Sequence, residues 1–307
     1  MRNVRIIHHA TMTIFRLKPD DMYQSYGAYC AHFDSSISGG APLDSNLFHG
    51  VWHGRLTTLH RLCLKSILIT QPQSCRIWVW LSPPSIEMNR EFIASFQGCH
   101  NICFRTYVPK NEARGTIYEG HLDILRKWFT DGFRLLILAK YGGVYFDFDV
   151  LFLHDLSKLR TRDFFYQWSN QPYGNSALLH LAPNSPNAEA LAKRTISLRD
   201  CHPKRLLAFP EIDEILTDMC ILPSFVFDPV WIANDTRIRV NGYCNTFDDF
   251  FSNKTRISLA QFFPASYTYH WHNRWNALID PESLVGQLYA EVNKRHNAMQ
   301  MTQGNTM

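Results

Sequence analysis

Residues 131–153, DGFRLLILAKYGGVYFDFDVLFL, constrain this chain more than any other stretch. A run with helical spacing ends at Gly142, where a helix C-cap glycine belongs. Gly143 then lets the backbone turn directly into a short apolar strand. That strand delivers Asp147 and Asp149 around Phe148. Side chains two apart on a strand share a face, so an extended backbone points both carboxylates into one small volume. Two such charges repel unless a cation or a proton sits between them.

The segments before this stretch read as the frame that holds it. NLFHGVWHG, residues 46–54, reads as a first core strand, with Trp52 near its end. Leu56, Leu59, Leu62, Cys63, Ile67 and Leu68 then recur at helical spacing until Pro72. CRIWVWLS is a second strand, IEMNREFIASFQ a second helix and NICFRTYV a third strand. Strands and helices that alternate at this length predict an α/β fold with a mostly parallel central sheet, which binds ligands at the carboxyl ends of its strands.

Two helices are expected over IYEGHLDILRKWF and TDGFRLLILAKY, with Thr130 as N-cap of the second. Asp131 and Arg134 are three apart and so share a helical face. Taken alone, they read as a capping acid beside a surface arginine. The second half continues with strands over DFFYQWSN and GNSALLHLAP and a helix over NAEALAKRTISL. Residues 200–260 hold only short elements. The polar end from about Asn293 lacks periodicity and reads as a frayed tail. This divides the chain into an extension at 1–41, one catalytic domain at 42–292 with its donor half running to about 155, and a flexible tail at 293–307.

The formal charge is +4 with no basic run, which argues against nucleic acid as a partner. The eight cysteines contain no CxxC pair, so neither a zinc site nor a disulfide framework is indicated, and they read as reduced and buried. No apolar run reaches the ~18 residues of a transmembrane helix, and the first residues are basic but lack the apolar h-region and small-residue cleavage site of a signal peptide. The expected setting is therefore the cytoplasm, bacterial, viral or host, or the Golgi lumen if an anchor has been removed.

The order T-D-x-x-R, then K-Y-G-G-V-Y-x-D-x-D-V, from Thr130 through Val150, resembles glycosyltransferase family 32, the family with a DXD sugar-binding region. FHGVWHG at 48–54 and YHWHNRW at 269–275 echo two further segments of that family, although Tyr269 stands where relatives carry a first histidine. The resemblance implies a GT-A fold and retaining transfer of a sugar from a nucleoside-diphosphate donor, UDP- or GDP-linked, to a glycan or other hydroxyl acceptor. It implies Mn²⁺, or Mg²⁺, bound by Asp149, with Asp147 on the ribose and sugar hydroxyls or on the metal through water. Asp131 and Arg134 would hold the sugar, Tyr145 would pack beside it, and Trp52 would stack on the base. His270, or His272 in its place, would approach the metal or diphosphate from the far side. With the donor's own phosphate taking the acceptor proton, no protein base is required. Asp228, Asp248, Asp249 and Glu211 fall in the acceptor half without an assigned role.

Two other classes compete. A haloacid-dehalogenase-type phosphohydrolase also ends an apolar strand in D-x-D, and Asp248-Asp249 would serve as its later acidic pair. Against it, that strand normally lies near the N-terminus and is followed by a Gly-Thr turn, whereas here Val150-Leu151 continues as strand. The other is a carbohydrate-binding relative without activity, since fold alone does not prove chemistry.

Overall fold

The computed structural model describes residues 4–9, 12–17, 42, 46–127, 129–236 and 242–304. The strands in chain order are β1 (Val4–His9), β2 (Met12–Leu17), β3 (Leu47–Trp52), β4 (Arg76–Leu81), β5 (Ile102–Thr106), β6 (Gly143–Phe146), β7 (Val150–Phe152), β8 (Phe164–Gln167), β9 (Gly174–Leu181), β10 (Cys220–Leu222) and β11 (Thr268–His270). Four long helices are used below: α1 (Thr58–Thr70), α2 (Phe129–Tyr141), α3 (Pro186–Leu198) and α4 (Leu284–Gly304).

Nine strands form one mixed sheet in the order β1-β2-β10-β8-β9-β6-β3-β4-β5. The run β6-β3-β4-β5 is parallel, and β9 is antiparallel to both β6 and β8. Helices cover both faces. Leu59, Leu62 and Ile67 of α1 share one apolar core with Leu284, Leu288 and Val292 of α4. On the other face Phe133, Leu136 and Ile137 of α2 pack with Leu191 and Ala192 of α3. This double cover is why β3 and β4 read as near-continuous apolar runs rather than alternating ones.

Several expectations are corrected. The Asp147–Asp149 segment is a turn, not extended strand: β6 ends at Phe146, and β7 leaves the main sheet to pair with β11 in a separate two-stranded sheet. The second helix breaks at Asn89 into Pro83–Met88 and Arg90–Ala94, because the Asn89 side chain turns back to accept from the Leu56 amide and to donate to the Gly54 carbonyl. Thr130 lies inside α2 rather than at its cap. The frayed tail expected from Asn293 is instead the second half of α4. His296 of that half is buried, and Lys65 Nζ donates to Asn293 Oδ1 at 2.7 Å. The extension contributes a hairpin to the sheet edge through β1 and β2, and its Ser/Gly-rich stretch lies outside the described residues. Every described cysteine is free, and Cys103, on edge strand β5, is exposed rather than buried.

Candidate functional site

The glycine pair sets the geometry. Gly142 and Gly143 have φ of +67° and +102°, a region that L side chains rarely adopt. A Cβ on Gly143 would lie 2.3 Å from the Leu47 carbonyl oxygen, and one on Gly142 would lie 2.5 Å from the Pro183 nitrogen. His49, buried on β3, contacts the Gly142 carbonyl through Nε2 at 3.0 Å while Trp80 Nε1 donates to its Nδ1 at 3.2 Å. The tautomer is thereby set with the proton on Nε2, and the end of α2 is tied to the central strands.

On the helix side, Arg134 is buried rather than on the surface. Its guanidinium lies 2.9 Å from Asp131 and 3.3 Å from Asp147. It also donates to the Ser176 carbonyl at 2.6 Å and to Ser176 Oγ at 2.7 Å, and stacks 4.5 Å above the Tyr145 ring. Burial alone would lower its pKa, but Asp147, Tyr145 and Asp131 raise it, so the cation is fixed. Tyr145 is itself buried beneath Arg134 and reaches the site only through its hydroxyl, which donates to Asp147 Oδ1 at 2.7 Å. Asp147 remains partly open to solvent.

Past the turn, Asp149 is buried. Its Oδ2 accepts from the Asn273 amide at 2.5 Å, and His270 Nε2 lies 3.2 Å from its Oδ1. Burial would raise the Asp149 pKa, but the His270 charge and the Asn273 amide bring it below the usual carboxylate range. His270 in turn is pushed up to about 9: burial lowers it, and Asp149 outweighs that. The pairing of β7 with β11 sets Val150 opposite His270 and so brings the two halves of the chain together. The β11 alternation also explains Tyr269. It points into the core against Phe250, Phe262 and Phe263 while His270 faces the site, so position 269 has no access to a cation.

Beyond His270 lies Asp228, fully buried in the apolar run FVFDPVW. His272 Nε2 contacts its Oδ2 at 2.6 Å, and the two histidine rings stack at 3.8 Å. Asp228, His270 and His272 each offer a ligand atom within 4.8 Å of the others. Asp149 Oδ1 and Asp228 Oδ1 are buried and make no hydrogen bond. Buried carboxylate oxygens beside imidazole nitrogens, one of them on Asp228 without a hydrogen bond, are a donor set that fits a divalent cation.

Of the residues singled out from sequence, Asp131, Arg134, Tyr145 and Asp147 form one hydrogen-bonded group, and Asp149 with His270 forms a second beside it. His272 joins by stacking on His270 and by its contact with Asp228. Trp52 is half-buried, packs edge-on against Trp275 at 5.0 Å and against Phe148 at 6.1 Å, and donates its Nε1 to the Arg55 carbonyl. Sequence reasoning did not identify Ser176, Tyr166 and Asn273, and it left Asp228 without a role. Tyr166 lies with its hydroxyl 3.2 Å from His270 Nδ1 and so helps orient that ring. A lone acid inside an apolar run was the one legible signal among these. The later acidic pair is used structurally: Asp249 accepts from the Asn245 and Thr246 amides, and Asp248 pairs with Arg274.

Residues 110–166 match the family model described as the glycosyltransferase sugar-binding region containing a DXD motif. Among solved structures, the chain is similar to the glycosyltransferase GlyE of Streptococcus pneumoniae, with 11% identity and a TM-score of 0.51. That match covers 85% of this chain and 64% of GlyE, so the chain spans just under two thirds of that relative. A looser likeness, at 14% identity and a TM-score of 0.45, covers 82% of this chain and 95% of the galactosyltransferase LgtC. No curated protein matches the chain. The likeness to GlyE shows the GT-A architecture, and the segment matched by the family model spans α2, β6, the DXD turn and β7. The segment that carries Asp131, Arg134, Tyr145, Asp147 and Asp149 is thus the one that matches the sugar-binding region of the DXD-motif glycosyltransferase family.

Proposed function

We propose that the chain is a metal-dependent, retaining glycosyltransferase that takes a sugar from a nucleoside-diphosphate donor and passes it to a hydroxyl of a glycan. The observation that carries this reading is the buried Asp149 carboxylate. One of its oxygens is held by a backbone amide, and the other is left without a hydrogen bond beside His270. Burying an ionised carboxylate is costly, and the His270 imidazole 3.2 Å from its Oδ1 offsets that cost; a divalent cation held between the carboxylate and the neutral imidazole would serve the same purpose.

Asp149, Asp228 and His270 would hold Mn²⁺ or Mg²⁺, with Asp147 or His272 completing the set. When bound, that ion neutralises the charge that collects on the diphosphate as the glycosidic bond breaks. The chain's own residues orient the donor. Arg134 presents a fixed cation, Asp131 and Asp147 accept from sugar or ribose hydroxyls, and Tyr145 positions Asp147 from beneath. Trp52 supplies an aromatic face at the end of β3 for the base. Retention follows the resemblance to family 32, in which the donor phosphate takes the acceptor proton and the protein supplies no dedicated base.

The test is consumption of a panel of UDP- and GDP-sugars with Mn²⁺. The expected outcome is turnover of at least one donor, abolished by chelation and by Asp149→Asn. No turnover and no binding of any donor, or an Asp149→Asn variant as active as the parent, would overturn the proposal.

A further inference from the structure

Outward from Asp149 the site runs through His270 to His272, and there its surroundings change character. The His272 ring is enclosed by aromatic side chains from three separate segments. Trp168 comes from the β8–β9 hairpin and lies at 6.5 Å, tilted by 31°. Trp231, on the helix Val230–Thr236, stands edge-on at 5.6 Å, and Phe247 stands edge-on at 4.4 Å. Tyr173 extends the patch beyond Trp168 at 6.0 Å. All four are only half-buried, unlike the aromatic core under β11, where Tyr269, Trp271 and Phe250 are closed to solvent. At the centre sits a polar pair, the buried Asp228 with the partly open His272.

We infer that this patch is an acceptor subsite that takes a pyranose ring, the sugar at the end of the acceptor. The inference rests on the transferase reading above and deepens it. A pyranose has C–H faces that pack on indole and phenyl rings, and hydroxyls at its rim that need carboxylate or imidazole partners. The open aromatic rings meet the first requirement, and the partly open His272 imidazole at their centre, held by Asp228 from behind, meets the second. An acyl chain would instead be served by an aliphatic groove without the Asp228–His272 pair. The location fits the chemistry as well. His272 stacks on His270 at 3.8 Å, and His270 touches Asp149, so a sugar seated on Trp168 and Trp231 lies at the edge of the candidate cation site. Neither Trp168 nor Trp231 contributes to the donor-holding group around Arg134.

The experiment is saturation-transfer NMR on the full chain with UDP and Mn²⁺ present. The probe is a mixture of methyl α-galactopyranoside, methyl α-mannopyranoside and methyl β-glucopyranoside. Transfer to the ring C–H protons of at least one glycoside is expected. Trp168→Ala and Trp231→Ala should each weaken it roughly fivefold or more, while Trp168→Tyr, which keeps a ring, retains most of it. Nucleotide-sugar affinity, measured on the same proteins with Mn²⁺ and without UDP, should be unchanged in all three variants. Equal transfer in parent and alanine variants, no transfer to any glycoside, or a Trp168→Tyr loss as large as that of Trp168→Ala would each overturn the subsite. Glycoside binding without nucleotide-sugar binding would leave the subsite standing and remove the transferase reading. The reverse result would do the opposite.

Discussion

Arg134 shows how much a single side chain can be asked to do. It lies next to two carboxylates, donates to a carbonyl and a hydroxyl of Ser176 and rests on an aromatic ring, uses that suit a planar guanidinium better than a lysine ammonium. Its i,i+3 spacing from Asp131 was visible in the sequence, but its burial was not, because Ser176 reaches it from β9, forty-two residues away. His60 is the other buried group with a measurable consequence. Its Nδ1 accepts from the Thr57 amide at 3.0 Å, capping α1, while its ring packs against Trp52 and Phe148. Burial pushes its pKa down to about 3, only partly offset by the Asp149 charge. Between that value and the ordinary 6.5 the unfolded chain binds a proton that the folded chain refuses. Stability is therefore present above about 6.5 and is lost as pH falls toward 3, at up to about 1.4 kcal/mol per pH unit from this one group. Urea midpoints measured from pH 7 to pH 4 should fall more steeply for the parent than for His60→Phe. Parallel slopes would show that His60 accepts its proton without unfolding.

At the scale of elements, the candidate site is made by a helix end, a glycine pair and a turn. Gly143 removes no ligand when replaced, yet its Cβ would meet the Leu47 carbonyl of β3 at 2.3 Å and its φ is +102°. Gly143→Val should therefore separate α2 from β6 and weaken nucleotide-sugar affinity at least about tenfold, with several kcal/mol lost from folding. A variant that binds donor as the parent does would contradict the account of the pair. The strand–helix alternation through β5, the glycine pair and the strands β8 and β9 could be read from periodicity, because local pattern dictates them. The turn at Asp147–Asp149 could not. Phe148 keeps an apolar alternation through the motif, and only the departure of β7 to pair with β11 bends the chain there. The second half of α4 was missed for a different reason. Buried positions of α4, Leu288, Val292 and His296, do recur every fourth residue, but past Asn293 only the histidine continues them in an otherwise polar sequence.

For the whole molecule, the sheet order matters most. The parallel run β6-β3-β4-β5 meets antiparallel β9 at β6, and the Arg134 group sits at that seam, where the sheet changes direction. The two-stranded β7–β11 sheet then joins Asp149 of the first half to His270 of the second. Such a junction, between residues 121 apart in the chain, is set by tertiary packing. Family resemblance pointed to His270, whereas Asp228 emerged only once the fold brought it beside the two histidines. The central claim is that these halves together form one cation site. The most direct measurement is calorimetric titration of Mn²⁺ into the protein with UDP present. The account predicts one ion per chain, with affinity lowered at least roughly tenfold by Asp149→Asn and likewise by Asp228→Asn, and unchanged by Asp248→Asn. Binding that neither Asp149→Asn nor Asp228→Asn disturbs would contradict it.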